Sequence, residues 1–207
     1  MDRVTVAPHP LAGHLLADLR STETTPERYR VLARRLAMVL ALEATRALPT
    51  ETSEVMTPLA PARVRRLARP VVAVPILRAG LGLLDAVTDL LPEVGVGYIG
   101  LERDEETLTP ISYYFKTPNL EGASVLLLDP MLATGGTAAF AAELLRKDGA
   151  QDITLVCVIA APEGIARLTE ADPEVKIVTG AIDEHLNEQG YIVPGLGDFG
   201  DRLFGTF

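Results

Sequence analysis

Cysteine is nearly absent from this 207-residue chain, which contains only Cys157. A single cysteine excludes an intramolecular disulfide and is typical of a reducing compartment. We interpret Cys157, within ITLVCVIAA, as a small buried hydrophobic residue rather than a nucleophile. Histidine is also scarce, and His9, His14 and His185 lack the spacing of a zinc site.

Long apolar runs and excess positive charge are missing as well. No apolar run approaches the ~18 residues of a transmembrane helix, and the first residues, MDRVTVAPHPL, lack an apolar signal region. We therefore expect a cytoplasmic protein without a membrane partner. The 19 basic and 28 acidic residues give a net charge of −9, which disfavours non-specific nucleic-acid binding, so no nucleic-acid partner is expected.

Several catalytic motifs are absent or occur without their context. There is no G-x-x-x-x-G-K-[ST] phosphate loop and no G-x-S-x-G nucleophile elbow. The tail contains GLGDFG, but a dinucleotide-binding fingerprint must open a helix and precede an acidic residue by ~20 positions. The chain ends too soon for that, and the kinase motifs that accompany DFG are missing.

Short apolar runs alternate with helical patterns from about residue 71 onward. The runs VVAVPIL, SVLLLDP, ITLVCVIAAP and VKIVTGAI predict strands, and GLLDAVTDLL, GTAAFAAELLRKDG and EGIARLTEA predict helices. This alternation predicts an α/β fold with a doubly wound, mainly parallel sheet, whose ligands bind beyond the carboxyl ends of the strands. A longer helix is predicted to begin at Pro26, after Thr25 as its N-cap.

The segment DPMLATGGT, residues 129–137, joins a predicted strand to a predicted helix. Its small residues allow close backbone approach to a ligand, and the helix N-terminus favours an anion. A carboxylate would repel a bare phosphate, so Asp129 needs hydroxyls or a cation as its partner. A ribose 5-phosphate satisfies both demands, although a tight turn with glycines for geometry alone explains the loop equally well.

Two arginines follow other predicted strands. Arg78 lies in PILRAGLG, where a guanidinium and exposed backbone N–H groups form a second anion site. Arg103 lies in LERDEETLTP, at another strand end. Together with the loop, these arginines indicate a substrate that carries phosphate at two places.

The tail EHLNEQGYIVPGLGDFGDRLFGTF is rich in Gly and Asp and is predicted to be too irregular for a helix. Its apolar residues nevertheless require burial. An ordered cover over a pocket and a docked oligomer arm both explain it.

These segments together resemble a known family. DPMLATGGT is similar to the loop that binds 5-phospho-α-D-ribose 1-diphosphate (PRPP) in type I phosphoribosyltransferases, in the version found in uracil phosphoribosyltransferases. VPILRAGLGLLDAV, ERDEETLTP, VIAAPEGIARL and GYIVPGLGDFGDRLFGT resemble the same family in the same order. The resemblance extends from HPLAGHLLADLR to the last residues.

The resemblance implies conversion of uracil and PRPP to UMP and pyrophosphate, in UMP salvage, with Mg²⁺ bound through the substrate rather than directly. It implies catalytic roles for Asp129, Arg103 and Asp198. Uracil would contact Ile192, Gly197, Asp198 and Phe199. The implied PRPP site comprises Arg78, Arg103, Asp129, Pro130, Met131, Leu132, Ala133, Thr134, Gly135, Gly136, Thr137 and Asp198.

The resemblance also implies one phosphoribosyltransferase domain over residues 1–207, with a core at about 70–183 and a uracil-binding segment at about 184–207. A homo-oligomer, dimer or tetramer, and a nucleotide effector such as GTP are expected. Two positions depart from the family pattern. Phe199 occupies a position that is often alanine and would stack on or crowd the base, and Glu102 stands where tyrosine is common and would pair with Arg103.

Two other functions compete with this one. A regulator that senses PRPP or nucleotides and binds RNA, with weak transferase activity, would use the basic cluster RVRRLARP at residues 63–70. That cluster is more simply a solvated helix face, or part of a nucleotide site there or between subunits. A phosphoribosyltransferase for a purine base is the third alternative, against which the tail argues.

Overall fold

A computed structural model describes residues 3–103 and 110–206, with the backbone alone at Arg103 and Pro110. The helices are α1 (Pro10–Arg20), α2 (Pro26–Ala44), α3 (Leu81–Leu90), α4 (Gly136–Lys147), α5 (Pro162–Ala171) and α6 (Phe199–Phe204). The strands are β1 (Val4–Val6), β2 (Thr50–Met56), β3 (Pro61–Leu67), β4 (Val71–Leu77), β5 (Gly95–Val96), β6 (Tyr98–Arg103), β7 (Pro110–Lys116), β8 (Ser124–Leu128), β9 (Met131–Leu132), β10 (Asp152–Ala160), β11 (Lys176–Ile182), β12 (His185–Leu186) and β13 (Ile192–Val193).

The central sheet has the strand order β1-β11-β10-β8-β4-β6-β7, with β5 beside β4 and β9 beside β10. Neighbouring strands run parallel except for β6 and β7, which pair in antiparallel fashion. The strands in the middle of this order are the short apolar runs of the sequence. This arrangement confirms the predicted mainly parallel α/β sheet.

Helices cover both faces of the sheet. Buried residues of α1, α2 and α3 form one hydrophobic cluster, and those of α4 and α5 form a second cluster. Strand β8 supplies both, because Leu126 and Leu128 point into the first and Val125 and Leu127 into the second. Alternation of this kind explains why the strand reads as an unbroken apolar run.

Helix α2 begins as predicted, with Thr25 in an extended N-cap conformation and Pro26 in the first turn. Proline suits that position because its missing N–H group would have no helical partner there. Gly149, with φ +98°, follows the C-cap of α4 and ends that helix as its sequence suggests.

Two local predictions were wrong. The basic cluster is not a helix face, because residues 61–67 form β3, which pairs with β2 in an antiparallel hairpin. Thr57 shapes its turn by accepting hydrogen bonds from the N–H groups of Leu59 and Ala60. The tail also contains a short helix, α6, which Asp198 caps by accepting from the N–H of Asp201 at 2.8 Å.

The tail packs against the first half of the chain. Phe199 and Leu203 belong to the same buried cluster as residues of α2 and α3. Arg30 on α2 donates to the carbonyl of Leu203 at 3.0 Å.

Among the described helices, none is both long enough and apolar enough to cross a membrane.

Replacement of Leu127 by alanine should lower the free energy of unfolding by about 2–5 kcal/mol, because it leaves a cavity between the sheet and α4. The matched control is Leu42→Ala on the exposed side of α2, for which we expect a change within about 0.5 kcal/mol. Urea denaturation monitored by circular dichroism measures both. Equal losses for the two variants would contradict the assigned core.

Candidate active site

The carboxyl ends of β4 and β8 lie side by side, since Pro75 is in register with Leu128. Arg78 follows β4 and Asp129 follows β8, so the two side chains emerge at the same edge of the sheet. A cavity of about 320 Å³ lies at this edge and is called here the loop cavity. Its position agrees with the rule that ligands of open α/β sheets bind beyond the strand ends.

The loop at residues 129–137 is held on both sides by backbone pairing and close packing. Strand β9 within it pairs with β10, and the helix α4 begins at Gly136. Gly135 adopts a φ of +76°, and a Cβ there would lie 2.6 Å from the carbonyl oxygen of Gly164 on α5. Only glycine fits this position, so the loop rests directly on the first turn of α5.

Most residues of the predicted PRPP site border the loop cavity. These are Arg78, Asp129, Met131, Leu132, Ala133, Thr134, Gly135, Thr137 and Asp198. Pro130 does not border it: the residue is buried, and its carbonyl accepts hydrogen bonds from the N–H groups of Val158 and Ile159. Gly136 faces a groove between α4 and α5 instead, where the guanidinium of Arg167 lies beside it.

Arg103 is the last residue of β6, at the same edge of the sheet, but its side chain lies outside the described part of the structure. Its contact with pyrophosphate therefore stays a prediction. Glu102 is exposed on β6. Arg78 is exposed as well, with its guanidinium carbon 5.7 Å from the centre of the Phe204 ring.

Asp129 is largely withdrawn from water and has little compensation for its charge. Burial raises the pKa of its carboxyl from 3.8 to about 6, and a long hydrogen bond of 3.5 Å from the N–H of Met131 opposes this only weakly. Within the described residues, no cationic side chain contributes to its pKa. A carboxylate in this condition favours any ligand that brings hydroxyl groups or a cation.

A second cavity, of about 220 Å³, adjoins the loop cavity and is called here the tail cavity. All four residues predicted to contact uracil border it, namely Ile192, Gly197, Asp198 and Phe199. The two cavities share six residues: Ala79, Asp129, Met131, Ala133, Gly190 and Asp198. They are thus two parts of one site that join beside Asp129.

The tail cavity offers backbone groups more than side chains. In the described part of the chain, neither the N–H nor the C=O of Gly197 has a hydrogen-bond partner. Gly197 is exposed at the cavity wall, so its N–H and C=O groups are free to pair with a ligand. Ile192 on β13 forms another part of the wall and is itself buried.

Phe199 borders the tail cavity, and its stacking on or crowding of a bound base stays a prediction. The ring is buried and packs edge-on against Tyr29, with 5.3 Å between ring centroids. A Cβ on Gly82 would lie 3.0 Å from the same ring. Phe199 therefore packs the tail against α2 and α3. The core accommodates its side chain, which is larger than the alanine often found at this position.

Sequence analysis missed several residues of the cavity walls. Ala79, Gly190, Tyr191 and Gly200 border one or both cavities. Gly190 belongs to the turn between β12 and β13, which brings it near the methyl group of Thr134. The turn residues NEQG signal this hairpin, but they do not signal that it reaches the loop.

The candidate site has few side chains that could bind a metal ion directly. Among the described residues, no group of three or more His, Cys, Asp or Glu side chains could hold a metal ion. Asp129 and Asp198 are the carboxylates at the junction of the two cavities. Oxygen ligands of this type suit Mg²⁺, which commonly keeps water and substrate oxygens in its coordination shell.

Known proteins match this chain over almost its whole length. The family model for uracil phosphoribosyltransferase matches residues 6–206. The chain is 51% identical to a uracil phosphoribosyltransferase of Symbiobacterium thermophilum and 48% identical to that of Streptococcus sanguinis, with 100% of each chain covered.

Solved structures are also similar to this chain. A protein from Aquifex aeolicus is 42% identical, with a TM-score of 0.92 and 97% of each chain covered. A hypoxanthine-guanine phosphoribosyltransferase from Bacillus anthracis shares the fold alone, with 13% identity, a TM-score of 0.52 and coverage of 78% of this chain and 80% of that one. The chain belongs to the uracil phosphoribosyltransferase family.

Proposed function

We propose that this enzyme transfers the phosphoribosyl group of PRPP to N1 of uracil, releasing pyrophosphate and forming UMP for pyrimidine salvage. The observation that carries the proposal is the junction of the two cavities at Asp129. One cavity is bordered by a phosphate-type loop and Arg78, and the other by the tail. A ribose at the junction would connect a phosphate on one side with a base on the other.

The loop cavity supports the binding of PRPP. The backbone of residues 133–137 and the N-terminus of α4 would hold the 5-phosphate, with Thr134 and Thr137 as hydroxyl donors. Asp129 would accept hydrogen bonds from the ribose hydroxyls, which would compensate its buried charge. Arg78 and Arg103 would hold the pyrophosphate group.

The tail cavity supports the choice of uracil. Uracil presents alternating C=O and N–H groups, which the unpaired backbone groups of Gly197 would match. Cytosine has an amino group where uracil has a carbonyl, so it would leave a buried group unpaired. Ile192 and Asp198 would complete the wall.

The reaction follows from these positions. The bond between C1 and the pyrophosphate oxygen loosens first, and its electron pair leaves with pyrophosphate. Arg78 and Arg103 stabilise the growing negative charge on that group. Uracil N1, held against C1, forms the new bond and gives up its proton, and Asp198 is the candidate to receive it.

Mg²⁺ fits this proposal as an ion carried by the substrate. PRPP oxygens and water would be its ligands, and the carboxylates of Asp129 and Asp198 would lie near it without binding it directly. When bound, it would neutralise part of the charge of the diphosphate. The assignment rests on the oxygen character of the donors.

The competing functions lose their support. Two of the three arginines on β3 face acidic residues across the hairpin, because Arg63 is in register with Glu54 and Arg66 with Glu51. Carboxylates beside the arginines reduce the positive charge that would attract RNA phosphates, so this cluster is a poor RNA-binding site. Likeness to purine-specific enzymes is limited to the fold, at 13% identity.

Three further parts of the proposal concern organisation. We treat residues 1–207 as one domain, with a core at about 70–183 and the uracil segment at about 184–207. Self-association is supported by the exposed apolar tip of the β2–β3 hairpin, where Leu59 is 96% exposed, and by exposed Tyr113 and Tyr114 on the edge strand β7. Activation by GTP stays a prediction from the family resemblance, and addition of GTP to the assay tests it.

Replacement of Asp129 by asparagine should lower kcat/KM by at least about 100-fold, because the neutral amide accepts hydrogen bonds from the ribose hydroxyls more weakly than a carboxylate does. UMP formation from PRPP, uracil and Mg²⁺ measures the effect. The matched control is Asp85→Asn on the exposed side of α3, which should leave the rate unchanged. An Asp129→Asn enzyme with wild-type activity would refute the role of the loop.

The same variant should be more stable than the wild type at pH 8 without ligands, by roughly 1–3 kcal/mol. The pKa of Asp129 is higher in the folded chain than its ordinary value of 3.8. The folded state therefore binds the proton more tightly, and its stability falls as the pH rises from about 4 to about 6. Asparagine avoids this cost.

Urea denaturation of both proteins at pH 4.5 and pH 8 tests this expectation. The stability gap between variant and wild type should be about a third of its full size at pH 4.5 and fully developed at pH 8. A gap that does not change with pH would show that the Asp129 carboxyl is not destabilised by burial.

Replacement of Leu59 by glutamate should reduce the molar mass in solution, because a charge at the hairpin tip would disrupt an apolar contact between subunits. Light scattering after size exclusion should give a wild-type mass that is a multiple of 22.2 kDa. A wild-type monomer would contradict self-association, and an unchanged mass of the variant would place the interface elsewhere.

A further inference from the structure

Arg20, the last residue of α1, forms a forked ion pair with Asp183, which follows β11. Arg20 Nη2 donates to Asp183 Oδ1 at 2.5 Å, and Nη1 donates to Oδ2 at 2.7 Å. The Asp183 side chain is 4% exposed and the Arg20 side chain 26% exposed. A pair with this geometry is short, bidentate and shielded from water.

Both partners of this pair also hold Gly195 by its backbone. Arg20 Nη1 donates to the carbonyl of Gly195 at 2.7 Å, and the N–H of Gly195 donates to Asp183 Oδ2 at 2.9 Å. Gly195 has a φ of +64°, and a Cβ there would lie 2.0 Å from the carbonyl oxygen of Ile192. The pair therefore fixes a tight turn that only glycine can make.

This turn lies between the residues that line the tail cavity. Ile192 precedes it, and Gly197 follows it with its unpaired backbone groups. Neither Arg20 nor Asp183 is among the residues that border the cavity in the described part of the chain. Their influence on a bound base would therefore pass through Gly195.

A second arginine supports the same connection. Arg202 donates to the carbonyls of Leu196 and Leu19 at 2.8 and 2.5 Å, and to that of Ser21 at 2.5 Å. Hydrogen bonds of Arg20 and Arg202 thus tie residues 195–196 to the end of α1. Arg202 holds one carbonyl of this segment, whereas Arg20 and Asp183 together hold both polar groups of Gly195.

Stability alone is a weak reason for such a pair. Desolvation of two charges offsets most of their attraction, so apolar residues of similar volume often stabilise a protein equally well. What the arginine fork provides is direction, because its planar donors bind a carboxylate and a carbonyl in one fixed geometry.

We propose that Arg20 and Asp183 are positioning residues for the base: they hold Gly195 so that the backbone at residues 192–197 matches uracil. The proposal rests on the proposed function, because it concerns the base half of that site. It assigns to the N-terminal helix α1 a part in substrate affinity, although α1 does not touch either cavity.

The test is Arg20→Lys, which keeps the charge and loses the fork. The KM for uracil should rise about tenfold, because an ammonium group cannot hold Asp183 and Gly195 in the same geometry. The KM for PRPP should stay within about twofold, because the loop cavity is unaffected. UMP formation with each substrate varied in turn measures both constants.

The matched control is Arg146→Lys. Arg146 forks onto Asp172 at 2.8 and 3.2 Å, donates to the carbonyl of Ala150 at 3.1 Å and has the same 26% exposure of its side chain. This pair lies away from both cavities, so the control should leave both KM values unchanged. A general loss of stability would affect the two variants alike, and thermal melts of both record it.

The outcomes separate the inference from the function on which it rests. A rise in the KM for uracil alone, in Arg20→Lys but not in the control, supports the inference. Unchanged constants, or equal rises for both substrates, overturn it while wild-type UMP formation upholds the proposed function. A wild type that forms no UMP overturns both.

Asp183→Asn repeats the measurement from the other partner and carries the test if Arg20→Lys does not fold. Asparagine keeps the size of the side chain but presents an amide N–H₂ group toward a donor. The same selective rise in the KM for uracil is expected. An unchanged KM for uracil in a folded Asp183→Asn enzyme overturns the inference.

Discussion

The parallel pairing of β8 with β4 on one side and β10 on the other decides where the loop cavity lies. It brings Arg78 and Asp129 to one edge of the sheet, and it places β10 where β9 of the loop pairs with it. The loop then enters α4 with its backbone N–H groups free to bind an anion. The site is a consequence of strand order before it is a consequence of any one side chain.

Asp129 shows what this arrangement costs. A carboxyl group with its pKa raised to about 6 by burial is an unfavourable feature of the free protein, and no interaction within the described residues removes that cost. The proposed substrate would remove it by supplying hydroxyl groups. The tail completes the site in another way, with backbone groups whose direction depends on Gly195 and on the ion pair that holds it.

Periodicity predicted the central strands and the helices α2 to α5 because burial on both faces leaves continuous apolar runs such as SVLLL. It missed β1 and the β2–β3 hairpin, since β1 is three residues long and the hairpin buries little. The site residues of the loop were recognisable because glycines and a helix start lie together in sequence. Arg20 and Asp183 were not, because 163 positions separate them and only the fold brings them into contact.

The most direct test of the central claim is a crystal structure of the enzyme with UMP bound. We predict that the phosphate lies against residues 133–137, the ribose beside Asp129, and the uracil ring against Ile192 and Gly197. UMP in any other place, such as the cavity bordered by Arg66 and Arg69 at the opposite edge of the sheet, would contradict the account.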